Sequence, residues 1–322
     1  MSNIFRSQLA TPSIWITGAR GFIGRHLARQ LADSGYYVCG LGHGAWAPRE
    51  AAQWGVELWM NGDIQSDNLR QLMTEGGAPD YVYHLAGGSS VGAAIACPNE
   101  DFLRTVATTA QLLEWVRLES PTTRVIAISS AAVYGAGHSG AIAEDKASTP
   151  FSPYGYHKLM MEQRCQSYAA TYGTRVAVAR LFSVYGSFLK KQLLWDLCTR
   201  LSAGTSIVEL GGTGQELRDW TDVRDVVRAL DLLKDLSSDA VPTINVGTGK
   251  ATDVRALAAL VANAWPVKVD IVFSGKSRTG DPFSLVADSS RLQSLGFEWQ
   301  ITPDVGIHDF VHWYRRQTET GS

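Results

Sequence analysis

Three glycines at three-residue intervals, Gly18, Gly21 and Gly24, lie directly between a short apolar strand and an amphipathic helix. The strand occupies Ser13–Thr17, and apolar residues then recur at helical spacing over Phe22–Asp33. Because glycine alone permits both a tight turn and very close backbone packing, this junction predicts a strand–turn–helix unit. Such a unit is the usual beginning of an open parallel sheet.

The alternation of strands and helices continues beyond this junction. Strand-like segments follow at residues 36–41, 56–60, 81–85, 124–129 and 175–179, and the longest helical segments are residues 100–118 and Pro153–Tyr172. Strands separated by helices pair in parallel. We therefore predict an α/β fold, a Rossmann-type doubly wound parallel sheet with helices on both faces, over residues 1–181. Residues 243–250 are expected to return to it, and residues 182–322 to form mainly a smaller C-terminal α/β lobe.

Composition excludes several classes of function. The formal net charge of -2 gives no basic surface for a nucleic acid. The four cysteines, at positions 39, 97, 165 and 198, have no metal-ligand spacing, so we expect buried or half-buried free thiols and no metal site. The N-terminal residues show no basic start followed by a continuous apolar stretch, and no apolar run approaches membrane-spanning length. We therefore expect a soluble, cytoplasmic protein without a signal peptide or a membrane partner.

The glycine junction also predicts a ligand. Backbone N–H groups at a helix N-terminus favour a pyrophosphate, so residues 1–181 are expected to bind a nicotinamide dinucleotide. An NAD site usually carries an acid after the second strand, but here His43 lies in that segment and the next acid is Glu50. Arg20 lies inside the glycine loop, where a 2′-phosphate would be near. These features favour NADP(H), with NAD(H) possible. The expected cofactor contacts are Gly18, Arg20, Gly21, Phe22, Ile23, Gly24, His43, Asp63, Ile64, Leu85, Ala86, Gly87, Ser129, Tyr154 and Lys158.

Two of these residues have the spacing needed for proton chemistry. Tyr154 and Lys158 are four positions apart near the start of a predicted helix, which places them on one face. A phenol ordinarily titrates near 10, so as an acid or base it needs a neighbouring positive charge. Ser130 follows a predicted strand, at the edge of the sheet where ligands bind. Its hydroxyl could hold the substrate oxygen that gains or loses the proton.

Together these segments resemble the extended short-chain dehydrogenase/reductase family of nucleotide-sugar epimerases, dehydratases and reductases. Residues 17–24 (Thr-Gly-Ala-Arg-Gly-Phe-Ile-Gly) resemble its glycine loop, residues 129–135 (Ser-Ser-Ala-Ala-Val-Tyr-Gly) its serine motif, and residues 152–158 (Ser-Pro-Tyr-Gly-Tyr-His-Lys) its Tyr/Lys motif. The resemblance implies that Ser130, Tyr154 and Lys158 are catalytic.

The resemblance also implies a substrate and a partner. A nucleotide-diphosphate sugar is expected to contact Ser90, Ser130, Ser183, Arg218 and Arg278, with the two arginines on the diphosphate. Three positions depart from the family, which often has asparagine where this chain has Ser183 and Thr105, and usually has proline where it has Thr279. The change at Thr105 removes an amide that often orders the active-site backbone or its water. Family members commonly form homodimers through a four-helix bundle, here residues 99–118 and Pro153–Tyr172.

The residues after Ser130 reduce the number of family reactions that the chain is expected to catalyse. Ala131 and Ala132 lie where family dehydratases and decarboxylases use acids and where 3,5-epimerising members use a cysteine, and alanine cannot move a proton. Hydride and proton transfer at one carbon remains. The missing acid and Arg20 favour reduction of a 4-keto-6-deoxy nucleotide sugar. The alternative is a 4-epimerase with tightly bound NAD, and a third hypothesis is a dinucleotide-sensing protein without turnover.

Overall fold

The computed structural model describes residues 11–276 and 283–319. The strands are β1 Ser13–Thr17, β2 Tyr37–Gly42, β3 Leu58–Asn61, β4 Tyr81–His84, β5 Arg124–Ser130, β6 Ala141–Ile142, β7 Arg175–Leu181, β8 Ser183–Tyr185, β9 Ile207–Leu210, β10 Leu217–Asp222, β11 Thr243–Val246, β12 Ala251–Asp253, β13 Asp270–Phe273 and β14 Ser284–Ala287. The helices are α1 Phe22–Asp33, α2 Pro48–Gln53, α3 Ser66–Gly76, α4 Val91–Ala96, α5 Pro98–Phe102, α6 Thr108–Glu119, α7 Pro153–Tyr172, α8 Gln192–Ser202, α9 Val223–Leu233, α10 Val254–Ala264, α11 Ser290–Ser294 and α12 Pro303–Glu319.

A seven-stranded sheet has the strand order β11-β7-β5-β4-β1-β2-β3. Strand β1 pairs in parallel with β2 and β4, β2 with β3, and β4 with β5. All five residues of β1 are buried, as expected for a strand covered by helices on both faces. The predicted Rossmann-type parallel sheet is confirmed.

The order of the strands creates the position for a ligand. From β1 the chain proceeds to β2 and β3 on one side, and then crosses to β4 and β5 on the other. The connections that leave the carboxyl ends of β1 and β4 therefore diverge, and such a switch point forms a crevice in open α/β sheets. The glycine loop follows β1, and residues 85–88 follow β4.

The helix predicted over residues 100–118 is not continuous. A π-helical segment, Leu103–Ala107, separates α5 from α6. The hydroxyl groups of Thr108 and Thr109 donate to the carbonyl oxygens of Arg104 and Thr105, at 2.6 Å each. Side chains that bond backbone carbonyls in this way compete with the regular helical ladder, and π-helical turns are frequent at functional sites.

The chain divides into two compact units. The first comprises the described residues up to Ser129, Tyr156–Ala179 and Leu230–Thr243; its core contains Trp15 stacked on Trp115 at 5.1 Å. The second comprises Ser130–Gly155, Arg180–Ala229 and the described residues from Ile244; its core includes an aromatic cluster around Phe310 and Trp313.

The expectation of buried or half-buried thiols is wrong for one of the four cysteines. Cys39, Cys165 and Cys198 are buried free thiols, whereas Cys97 is exposed because it lies at the junction of the two short helices α4 and α5. None of the helices in the described part of the chain is both long and apolar enough to cross a membrane.

Candidate active site

The glycine loop is packed so closely that side chains are excluded from it. Gly18 has a φ of 76°, and a Cβ there would lie 3.1 Å from the backbone nitrogen of Ala86. A Cβ on Gly24 would lie within 3 Å of three backbone atoms, the oxygen of Gly18 and the Cα and oxygen of Ala19. Gly21 caps α1 without a side-chain hydrogen bond. The first N–H groups of α1 therefore face a cradle of bare backbone, which fits a pyrophosphate.

The other predicted cofactor residues of this loop and the neighbouring strands surround the same end of the sheet. Arg20 lies against Gly44, just after β2, where a Cβ would be 2.6 Å from its guanidinium. His43 Nε2 lies 3.1 Å from the Asp63 carboxylate, and both side chains are exposed. The structure places Phe22 and Ile23 half-buried in the first turn of α1, Ile64 buried after β3, and Leu85, Ala86 and Gly87 half-buried after β4.

The turn after β4 consists of Gly87 and Gly88, here called the glycine turn. The N–H of Gly88 donates to Thr105 Oγ1 at 2.8 Å. A Cβ on Gly87 would lie 3.3 Å from Lys158 Nζ and 3.4 Å from Thr105 Oγ1. Thr105 lacks the amide that the family often has, yet its hydroxyl orders this turn directly.

His84, the last residue of β4, is a buried polar link below the glycine turn. Its ring contacts Thr17 Oγ1 at 2.8 Å and Thr109 Oγ1 at 3.0 Å. Burial, and secondly the charge of Lys158, lowers the pKa of His84 to about 3. The ring is therefore neutral near pH 7, and it joins β1, β4 and α6 by hydrogen bonds rather than by charge.

Lys158 is a buried ammonium with defined partners. Its Nζ donates to the carbonyl oxygen of Ile128 at 2.9 Å. Burial lowers the pKa of Lys158 to about 8, while the negative charges of Asp101 and Glu162 oppose that shift. Ser129 donates to Glu162 at 2.5 Å, and both are 2% exposed, so this hydroxyl is engaged inside the protein. Lys158 thus lies in a charged, water-poor site that favours a negative group beside it.

Ser130 and Tyr154 belong to the second unit, where local packing defines their backbone. Ser130 ends β5, and its Oγ accepts from the N–H of Ala132 at 3.2 Å. A Cβ on Gly155 would lie 2.6 Å from the carbonyl oxygen of Ala132, so the first turn of α7 packs directly on the turn after Ser130. Tyr154 is half-buried in that first turn, and Lys158 follows one helical turn later.

Further substrate candidates also lie in the second unit. Arg218 lies on β10, and β10 pairs in parallel with β8, with Ser183 opposite Trp220. Asp219 beside it is fully buried and accepts from the backbone N–H groups of Thr248, Gly249 and Ala287 at 2.7–3.1 Å. These bonds hold the backbone that carries Arg218.

The two remaining substrate candidates are separate from this group. Ser90, in the first unit, caps α4 by accepting from the N–H of Ala93 at 3.4 Å. Arg278 lies outside the described residues.

Sequence reasoning missed three charged or titratable residues near Lys158. Asp101 and His157 form a buried pair at 2.6 Å, and Glu162 accepts a hydrogen bond from the Ser129 hydroxyl. Glu162 had a detectable signal, because it is four positions beyond Lys158 and therefore on the same helix face. Asp101 and His157 are 56 positions apart, and no local pattern connects them.

Known proteins are similar to this chain over nearly its whole length. The UDP-glucose 4-epimerase of Azospirillum brasilense is 29% identical over 307 residues, which cover 89% of this chain and 87% of that protein. The structure of MoeE5 in complex with UDP-glucuronic acid and NAD is 31% identical, with a TM-score of 0.83 and coverage of 95% of this chain and 99% of that one. The UDP-glucuronic acid 4-epimerase of Bacillus cereus, in complex with UDP-glucuronic acid and NAD, is 25% identical, with a TM-score of 0.84 and the same coverage.

The family model matches too. Residues 14–247, which include the glycine loop, the Tyr/Lys helix and β10, match the model of the NAD-dependent epimerase/dehydratase family. The sheet, the glycine cradle and the Tyr/Lys helix are thus explained together: the chain belongs to the NAD-dependent epimerase/dehydratase family.

Proposed function

We propose that this protein is a nucleotide-sugar 4-epimerase that retains NAD(H) through each turnover. The observation that carries the proposal is the composition of the site around Ser130. Tyr154 and Lys158 supply one proton-moving group with its supporting charge, while Ala131 and Ala132 are buried and inert. Such a site supports oxidation and reduction at one carbon, because Ala131 and Ala132 supply no acid or base for elimination.

The reaction follows from these residues. Lys158 stabilises the phenolate form of Tyr154 by its charge, and this phenolate takes the proton from the C4 hydroxyl of the sugar to become the neutral phenol. The Ser130 hydroxyl donates a hydrogen bond to the same sugar oxygen. NAD, which the glycine loop after β1 would hold, would supply the hydride acceptor and return the hydride to the same carbon. When the 4-keto sugar presents its opposite face, Tyr154 returns the proton and the inverted alcohol is released.

The choice of NAD departs from the sequence expectation. That expectation rested on the absent acid after β2 and on Arg20, whose guanidinium packs against Gly44 just after β2. The solved relatives, however, carry NAD together with UDP-glucuronic acid, and MoeE5 also binds NAD with UDP-glucose. The preference for NADP(H) is therefore unsupported. We propose instead that Arg20 packs against the adenosine ribose of NAD.

The reductase favoured by the sequence is likewise unsupported. Two of the named relatives are 4-epimerases, the one from Azospirillum brasilense for UDP-glucose and the one from Bacillus cereus for UDP-glucuronic acid. The tyrosine, lysine and serine needed for reduction are the same as those needed for epimerisation, so the site residues alone do not favour the reductase. A UDP-hexose or UDP-hexuronic acid is the proposed substrate class.

Substrate recognition is assigned mainly to the second unit. Arg218, held by the buried Asp219 beside it, is proposed to bind the diphosphate. Ser183 on the neighbouring strand β8, Ser90 and Arg278 complete the proposed contacts. The first unit, which carries the glycine loop, is proposed to hold the cofactor. The division into a dinucleotide-binding domain of residues 1–181 and 243–250 and a mainly substrate-binding lobe of residues 182–322 stays a prediction, because the two compact units have other bounds, with Ser130–Gly155 in the second unit.

A homodimer is also proposed. Large apolar side chains are exposed along the segments expected to form a four-helix bundle: Phe102, Leu103, Leu118, Tyr156, Met160 and Tyr172, at 37–57% exposure. Tyr156 and Met160 are one turn apart on α7 and share a face. A second copy would cover them. Light scattering after gel filtration tests this, with Met160→Lys expected to give the monomer mass; a monomeric wild type would refute it.

The function is tested by incubating the purified protein with UDP-glucose or UDP-glucuronic acid, without added cofactor, and following C4 configuration by proton NMR. At least one is expected to reach the same equilibrium mixture from either C4 epimer, and Tyr154→Phe should abolish conversion. Failure to convert either one, together with NADPH consumption on a 4-keto nucleotide sugar, would overturn the epimerase in favour of the reductase.

A further inference from the structure

A buried carboxylate–imidazole pair lies behind the reacting lysine. Asp101 on α5 and His157 on α7 are joined by a contact of 2.6 Å between Oδ2 and Nδ1, with side-chain exposures of 6% and 11%. The ring of Phe102 packs edge-on against His157, with the ring centroids 5.6 Å apart. His157 immediately precedes Lys158, so the pair links α5 to the helix that carries the proton chemistry. The proposed reaction gives this pair no role.

The second oxygen of Asp101 reaches the glycine turn. A Cβ on Gly88 would overlap Asp101 Oδ1, so the carboxylate lies directly on the Gly88 backbone. The N–H of Gly88 donates to Thr105, and Gly87 lies beside Lys158 Nζ. The glycine turn is therefore enclosed by three side chains, Asp101, Thr105 and Lys158. One carboxylate contacts the turn with one oxygen and the Tyr/Lys helix with the other.

The same carboxylate acts on Lys158 by its charge. The negative charge of Asp101 is the first of the two that oppose the effect of burial on the pKa of Lys158, and Glu162 is the second. His84 also faces this lysine, but its lowered pKa keeps it neutral near pH 7. A neutral His157 leaves the full charge of Asp101 available to the ammonium, whereas a protonated His157 would offset it.

We propose that Asp101 and His157 are positioning residues, which fix the glycine turn against the Tyr/Lys helix and hold the proton on Lys158 during the reaction. Neither residue touches the reacting atoms. Asp101 acts through Gly88 and through the charge of Lys158, and His157 orients Asp101. This assignment rests on the proposed 4-epimerase function, because its catalytic effect is exerted on Lys158 and hence on Tyr154.

Two variants distinguish the effect of the Asp101 charge on Lys158 from the effect of the Asp101–His157 contact. Asp101→Asn keeps the shape and removes the charge, so the Lys158 ammonium should titrate at lower pH, by about one unit. His157→Asn keeps the carboxylate and removes the imidazole that orients it. We expect kcat to fall about tenfold in both variants, with KM for the nucleotide sugar changed less than twofold and NAD retained. Asp33→Asn, which breaks the exposed Arg29–Asp33 pair on α1, is the matched control and should match wild type.

The experiment combines kinetics with a readout that does not need turnover. The titration of Lys158 is followed by NMR of protein labelled at lysine Cε, with the signal assigned by its loss in Lys158→Arg. The proposal predicts that the midpoint falls in Asp101→Asn and that the alkaline limb of the kcat profile moves with it. An unchanged midpoint and an unchanged profile in a folded Asp101→Asn protein would overturn it. So would a loss of kcat in His157→Asn that only follows the unfolded fraction measured by circular dichroism.

Failure of the proposal and failure of the proposed function are distinguishable in this experiment. Wild type that epimerises a UDP-sugar, with a Lys158 midpoint insensitive to Asp101→Asn, would overturn the positioning role alone. A Lys158 midpoint that falls in Asp101→Asn, together with a wild type that epimerises no UDP-sugar, would support the coupling of Asp101 to Lys158 and overturn the 4-epimerase.

Discussion

Replacement of Gly24 by alanine tests whether the cradle at the start of α1 depends on bare backbone. The new Cβ would lie within 3 Å of three backbone atoms, including 2.8 Å from the Cα and 2.9 Å from the oxygen of Ala19. None of these belongs to a flexible side chain, so either α1 or the loop must move. Overpacking of this kind costs about 1–3 kcal/mol.

That cost has two measurable consequences. If the cost lowers the free energy of unfolding, Tm falls by roughly 2–12 °C. This takes about 2–4 °C per kcal/mol for a cooperative unit of about 150–250 residues, the size of the first unit. If it is expressed in the liganded state, because α1 no longer presents its N–H groups correctly, the Kd for NAD rises about 5- to 150-fold. Calorimetry of the cofactor-free protein with and without NAD separates the two.

The control is Gly92→Ala on α4. The nearest atom to a Cβ at that position is Ser90 Oγ at 3.9 Å, an ordinary contact. This variant should match wild type in Tm and in affinity for NAD. Gly24→Ala with wild-type stability and wild-type affinity for NAD would refute the claim that the loop is closed to side chains.

Three other perturbations have definite expected outcomes. Tyr154→Phe should abolish epimerisation while NAD binding by calorimetry stays nearly unchanged, because only the proton-transfer group is removed; weakened NAD binding would contradict this. Asp219→Asn should raise KM for the nucleotide sugar about tenfold. The NH2 group of the new asparagine would face backbone N–H donors from which the carboxylate now accepts. An unchanged KM in steady-state assays would contradict this. Burial lowers the pKa of His84 to about 3, so from pH 6.5 downward the unfolded chain binds a proton that the folded chain does not. The contribution of His84 to the free energy of unfolding should therefore fall by about 1.4 kcal/mol per pH unit from pH 6.5 towards the folded-state pKa. Denaturant titrations at several pH values should show that the free energy of unfolding depends less steeply on pH in His84→Asn than in wild type.

The residues that the sequence predicted best are those whose role depends on local spacing. The glycine loop, the Tyr/Lys helix and the strand Ser13–Thr17 are each defined by neighbours within a few positions. Their backbone conformation follows from a tight turn, a helical period and an apolar run, so local physics fixes their structure. The order of strands around β1 then places the glycine loop at the switch point of the sheet.

The features that the sequence did not predict depend on distant contacts. The π-helical segment arises where Thr105 is buried beneath the glycine turn, and a helical period over residues 100–118 does not reveal that burial. The Asp101–His157 pair joins α5 to α7 across 56 positions. The preference for NADP(H) is unsupported for a related reason. An arginine that packs near the end of β2 is compatible with either dinucleotide, and a missing acid is weak evidence in a loop built on Gly42 and Gly44.

The central claim is that one hydride leaves C4 of the nucleotide sugar and returns to the same carbon. The most direct test uses UDP-glucose deuterated at C4, or the corresponding UDP-glucuronic acid if that is the substrate, incubated without added cofactor. Mass spectrometry and NMR of the C4 epimer should show the deuterium retained at C4 in nearly every product molecule. Product in which C4 has gained hydrogen from solvent would contradict hydride transfer to a retained NAD, and with it the proposed function.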